Sequence, residues 1–166
     1  MPKPFPTDKM IEVLKSKSTY AEAFAEIHDM QYDLKLSEYL HDIAQKRGMK
    51  PAEIMRHSGL KKSYLYSLFD GKRDNPARDV LIQLGFGFQM SFDEIQEFLK
   101  HLGAAQLYPR IPRDGAIIYA FQHGMNIIEC DILLAENGEK NACQGIKSAG
   151  SVPFRLQNMI ELDRRK

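Results

Sequence analysis

Apolar residues recur at helical spacing from one segment to the next, so the pattern predicts an all-α chain. Pro2, Pro4 and Pro6 make the first residues extended, and a helix begins near Asp8 with Met10, Ile11, Val13 and Leu14 as its apolar positions. Thr19 to Glu22 has capping-box spacing, in which a hydroxyl and a carboxylate satisfy free N–H groups at a helix start. The helix that follows is expected to present Tyr20, Phe24, Ile27 and Met30 on one side. A third helix follows Leu36, with Leu40, Ile43 and Ala44 inward and Gly48 as its stop. Pro51 suits the first turn of a short fourth helix, which ends at Ser58-Gly59. A fifth runs from about Lys61 to Phe69, and Asp70-Gly71-Lys72-Arg73 forms its C-terminal turn.

Beyond Pro76 the chain repeats itself at an offset of 35 residues. Arg78, Asp79, Ile82, Phe86, Met90, Glu94, Leu99 and Gly103 are matched by Arg113, Asp114, Ile117, Phe121, Met125, Glu129, Leu134 and Gly138. Ser91 with Glu94 and Asn126 with Glu129 both have capping-box spacing, so each copy reads as helix, tight turn, helix and glycine stop. The repeated Arg-Asp pairs open helices, where a carboxylate suits the positive end of the dipole. Residues 141–153 are rich in Gly, Ser, Ala and Asn and read as a flexible connector, and Phe154 to Ile160 as a short terminal helix.

The segment from Lys50 to Pro76 carries the functional signal. A helix-turn-helix needs a short helix, a tight turn with glycine, and a second helix free to enter the major groove. Ile54 and Met55 face inward on the first helix, Gly59 makes the turn, Leu60 plugs the core, and Leu65 and Leu68 anchor the second helix. Lys61, Lys62, Ser63, Tyr66 and Ser67 remain for the outer side, a basic and hydroxyl surface suited to phosphates and base edges.

In these residues, with Gly71-Lys72-Arg73 and Pro76, the segment resembles the lambda-repressor-like (Cro-type) helix-turn-helix family over about residues 36–102. The resemblance implies a five-helix repressor-like core. It implies base reading by Lys61, Lys62, Ser63, Tyr66 and Ser67, phosphate contacts from Lys72 and Arg73, and a homodimer on a two-fold site. There are departures. Pro51 stands where the family usually has Gln, and Met55 where it often has Ala. Ala44 and Phe69 replace an Arg–Glu ion pair. Replacing both partners of such a pair by apolar groups keeps a fold, whereas losing one strands a charge.

The organisation expected is thus an N-terminal helical extension (1–35), the helix-turn-helix core (36–104), a second helical hairpin (105–140) and a tail (141–166). Charge fits this layout. The chain has 23 basic and 22 acidic residues, yet residues 36–76 carry eight basic and five acidic side chains, so the positive excess sits in the middle. Cys130 and Cys143 are too few for a disulfide framework and read as free thiols of a cytoplasmic protein. No apolar run approaches the roughly 18 residues of a membrane span. The five histidines are scattered, and no metal, P-loop, nucleophile-elbow or dinucleotide motif occurs. The expectation is therefore a regulator and not an enzyme, without cofactor or metal, whose partner is double-stranded DNA. The rival is a protein-interaction module that keeps the fold without DNA and docks a protein through its C-terminal hairpin.

Overall fold

The computed structural model describes residues 7–32 and 35–143. The expected terminal helix at 154–160 lies outside the described residues, as does most of the expected tail. The described residues form nine α-helices and no strand: α1 (Thr7–Ser16), α2 (Tyr20–Tyr32), α3 (Leu36–Arg47), α4 (Pro51–Ser58), α5 (Lys62–Phe69), α6 (Arg78–Gly87), α7 (Phe92–His101), α8 (Pro112–Gln122) and α9 (Ile127–Glu136).

Helices α1 and α2 close over a small cluster of Val13, Ala23 and Ile27, flanked by Met10. The Thr19 hydroxyl accepts from the Glu22 N–H at 3.3 Å, as its spacing predicts. Tyr20 lies on the same side as Phe24, with ring centroids 5.9 Å apart, but is exposed. A two-helix pair buries only one narrow side, and small Ala23, with Ile27 one turn on, occupies it.

One continuous hydrophobic core runs from Leu36 to Cys143. The hairpin expected at 105–140 is thus built into the same core as α3–α7. Ala142 and Cys143 are buried in it, so the stretch expected as connector begins as a docked segment. Leu40, Ile54, Leu65 and Leu68 are fully buried as expected, whereas Ile43 and Met55 are only partly covered. Helix α4 lies close against α6, because a Cβ on Gly87 would meet Ser58 Cβ at 2.8 Å and the Ile54 carbonyl oxygen at 3.0 Å.

The two hairpins, α6–α7 and α8–α9, repeat each other in their caps and in their arginine clasps. Ser91 and Asn126 cap α7 and α9 by accepting from the N–H groups of Glu94 and Glu129, whose carboxylates reach back to the cap N–H. Arg78 donates to the carbonyls of Ala105 and Gln106, and Arg113 donates to those of Lys140 and Asn141, 35 residues on. Each arginine thereby clasps the strap of chain that leaves its own hairpin.

Across the hairpins the contacts are reciprocal. Arg78 makes two bonds to Asp114, at 3.0 and 2.7 Å, while Arg113 bonds Asp79 at 2.9 Å. The equivalent rings of Phe86 and Phe121 stack with centroids 4.2 Å apart. Residue i meeting j while j meets i is the pattern of a two-fold relationship. The Arg-Asp motif therefore does more than open helices: its side chains cross-link the copies.

Candidate nucleic-acid interface

Helix α4 ends where Gly59 takes the left-handed conformation, φ 69°, which costs glycine little. Three residues later α5 begins, with Lys61 as its extended N-cap. Helix α5 rests on α3 and α4. Leu65, Leu68 and Phe69 form its buried side.

The remaining side of α5 faces out. Lys61, Lys62, Ser63 and Tyr66 are exposed, and Ser67 is half-buried. The Ser67 hydroxyl donates to the Tyr64 carbonyl at 2.6 Å, so its hydrogen is spent within the helix and only its acceptor pairs remain for a ligand. Lys62 Nζ lies 5.9 Å from the centre of the Tyr66 ring. The loop after α5 folds back, with the Arg73 N–H donating to the Ser67 carbonyl at 3.1 Å. This places the Arg73 guanidinium 4.9 Å from the centre of the Tyr64 ring. Cations held over aromatic faces are pre-ordered without being neutralised.

Among the described residues no carboxylate pairs with Lys61, Lys62 or Arg73. Lys72 is exposed too, but Asp70 stands 3.9 Å away and offsets its charge. The seven residues expected to meet DNA are therefore all at least partly accessible and lie on α5, its N-cap and the loop that follows.

Arg47, the last residue of α3, is engaged elsewhere. It donates to the Phe88 carbonyl at 3.0 Å and pairs with Glu94 at 2.6 Å, tying α3 to the α6–α7 turn. The backbone N–H of Ser91, and then Arg47, hold the Glu94 carboxyl below its usual range. Arg56 stays exposed on α4. Pro51 stands at the first position of α4, where Glu53 caps the helix by accepting from the Lys50 N–H at 3.1 Å. Ala44 and Phe69 are both buried. The His41 ring sits edge-on to Phe69 at 5.0 Å, and its Nε2 donates to the Phe69 carbonyl at 3.1 Å. Both positions are thus apolar and buried, and the contact seen at Phe69 comes from His41 of α3.

A buried polar node behind the turn was not visible as a site in the sequence. Ser58 Oγ accepts from the Leu60 N–H at 3.2 Å and donates to the Met55 carbonyl. The Gln83 amide donates to the Ser58 carbonyl at 3.2 Å and to Cys143 Sγ at 3.3 Å. The one signal for it is a glutamine within the apolar run Val80 to Phe86. Burial, then the Asp131 carboxylate, pushes the Cys130 and Cys143 thiols up to about 12, so both are protonated at neutral pH and are poor nucleophiles.

Comparison of the chain with models of known protein families, with curated proteins and with solved structures finds no match. No helix among the described residues is long and apolar enough to cross a membrane.

Proposed function

We propose that this chain is a sequence-specific regulator of transcription that reads double-stranded DNA with α5. In this reading α3–α7 form a five-helix core of the lambda-repressor-like kind, α4 and α5 are its helix-turn-helix, and the protein is not an enzyme. The observation that carries the reading is the outer face of α5, where Lys61, Lys62 and Arg73 have no carboxylate partner among the described residues and lie beside exposed Tyr66 and Ser63. Lys61, Lys62, Ser63, Tyr66 and Ser67 would meet base edges and nearby phosphates, while Lys72 and Arg73 would hold the backbone. The family resemblance adds a homodimer on a two-fold site.

A second reading has its own observation. Tyr108, Ile111, Tyr119 and Ile128 are large apolar side chains exposed on or beside the second hairpin, as expected of a module that docks another protein.

Selection from a random duplex library at two salt concentrations separates the two. The DNA reading expects an enriched, two-fold-symmetric site whose affinity falls steeply with salt. Lys62→Ala then changes the preference at one base pair by about 1–3 kcal/mol, whereas Lys72→Ala weakens all sequences alike and flattens the salt slope by about one unit. Absence of enrichment supports the docking module instead.

A further inference from the structure

Departures from the 35-residue repeat converge behind the Ser58–Gly59 turn. The repeat would place a tyrosine at position 143, as at Tyr108, and an isoleucine at position 83, as at Ile118. Tyr108 is 53% exposed where the first strap ends, but Cys143, at the same point of the second strap, is 4% exposed. A Cβ on Gly59 would lie 2.8 Å from Cys143 Sγ, with Gln83 Nε2 at 3.8 Å and Ile127 Cγ2 at 3.9 Å. A thiol fits against that backbone, and a phenol ring does not.

Gln83 is equally specific. A buried amide costs stability unless its bonds are made, and an apolar residue there would carry no such cost. Its amide satisfies the Ser58 carbonyl, one of the terminal carbonyls that a helix end leaves without a partner. The strap that delivers Cys143 is itself rigidly held. Arg113 binds the carbonyls of Lys140 and Asn141, and the buried Asp131 carboxylate accepts from the N–H groups of Ala142 at 2.7 Å and Cys143 at 3.3 Å.

We propose that Gln83 and Cys143 are positioning residues for α5, through which the strap of the second hairpin sets the angle at which Lys61, Lys62 and Tyr66 are presented to DNA. The inference rests on the DNA reading above and adds to it that the second hairpin is part of the reading apparatus. Neither residue touches DNA. Each acts through the turn, where a small rotation at Gly59 would swing the start of α5 off the base edges while leaving its charge in place.

The test uses the full chain with Gln83→Ile, which imposes the repeat's own residue, and with Cys143→Ala. Ile95→Val, a change at a fully buried site on α7, serves as a control for general loss of stability. Two readouts are taken: amide hydrogen exchange in the free protein at Leu60 and Leu65, whose N–H groups donate to Ser58 Oγ and to the Lys61 carbonyl on either side of the α5 start, and the affinity ratio of the selected site to random duplex at fixed salt. Both variants are expected to speed exchange at Leu60 and Leu65 about tenfold beyond the control. They are also expected to lower the affinity ratio about tenfold, with random-duplex affinity and its salt slope unchanged. Should Gln83→Ile fail to fold, Cys143→Ala carries both readouts. Exchange at Leu60 and Leu65 that rises no more than in the control overturns the inference, and so does faster exchange with undiminished discrimination. A wild-type protein that prefers no sequence overturns the DNA reading instead, and the exchange result alone then decides whether the strap holds the turn.

Discussion

The hairpins α6–α7 and α8–α9 share their caps, their arginine clasps and their glycine stops, yet they meet different surroundings. Leu84 on α6 is fully buried, while its counterpart Tyr119 on α8 is 48% exposed and stacks on His123. Gly87 lies under α4, while its counterpart Gln122 faces solvent. Where the copies agree, the residues build the hairpin: Ser91 and Asn126, Arg78 and Arg113, Phe86 and Phe121. Where they differ, the residues answer to something outside it. For the first copy that something is α4 and the turn into α5. The comparison therefore sorts frame from function within a single chain.

The largest expected effect tests how far the reciprocal pairs are equal. Among the described residues, Asp114 accepts twice from Arg78 and once from the Tyr108 N–H, whereas Asp79 accepts from Arg113 alone. Asp114→Ala strands a half-buried guanidinium and a backbone donor together, and should cost about 3–5 kcal/mol. Asp79→Ala should cost about 1–3 kcal/mol. Urea denaturation of the two variants measures both. Equal losses would mean that the cross-link works as one symmetric unit.

A second contrast concerns the outer faces. Gly87→Ala forces a methyl against Ser58 and the Ile54 carbonyl, so it should destabilise by about 1–3 kcal/mol through overpacking. Gln122→Ala, at the matching exposed position, should stay within about 0.5 kcal/mol. Thermal melts of the pair decide it. A harmless Gly87→Ala would mean that α4 is free to move off α6, and the bracing of the turn would weaken with it.

Much of this division was legible in the sequence, because it is written in short-range signals. Gly48, Pro51, Gly59 and the paired capping boxes act within a few residues, and each lies where the structure ends or begins a helix. The inward leucines follow from helical period alone. The repeat was legible as identity, since Arg78-Asp79 and Arg113-Asp114 recur at one offset. That each arginine would seek the other copy's aspartate was not, because pairing at such separation depends on how the hairpins fold together. Arg47 shows the same limit: only the fold brings Glu94 to it, 47 residues along the chain. At the candidate interface, periodicity marked the exposed residues, but the backing by Gln83 and Cys143 comes from segments 24 and 84 residues after Gly59.

The tight turns of the two hairpins differ in the same way at smaller scale. Gln89 holds a left-handed φ of 55° where the second hairpin has Gly124 at 64°. A non-glycine residue there costs about 1–2 kcal/mol. Gln89 recovers part of this by donating from its amide to the His57 ring at 3.2 Å. Gly124→Gln has no such contact in its matching site and should destabilise by about 1 kcal/mol. Gln89→Gly should be neutral to stabilising by up to about 1 kcal/mol. If Gln89→Gly destabilises instead, the link to α4 outweighs the backbone strain, and the two turns differ by function more than by tolerance.

The smallest effect lies in the caps and reads out through pH. Glu94 and Glu129 cap their helices alike, but Arg47 reaches Glu94 from α3. Because the folded state lowers the affinity of Glu94 for its proton, its contribution is fully present above the carboxyl's unfolded value. It is lost as pH falls through the depressed folded value. Folding stability should thus decline on acidification below about pH 4.5 more steeply in wild type than in Glu94→Gln. The difference should stay under about 1 kcal/mol, because the pair is half exposed and solvent screens it. Arg47→Met should remove part of the same pH dependence and leave the part owed to the Ser91 N–H. If Arg47→Met leaves the acid limb untouched, the cap alone holds the Glu94 carboxylate, and the tie from α3 to the first hairpin rests on the Phe88 carbonyl.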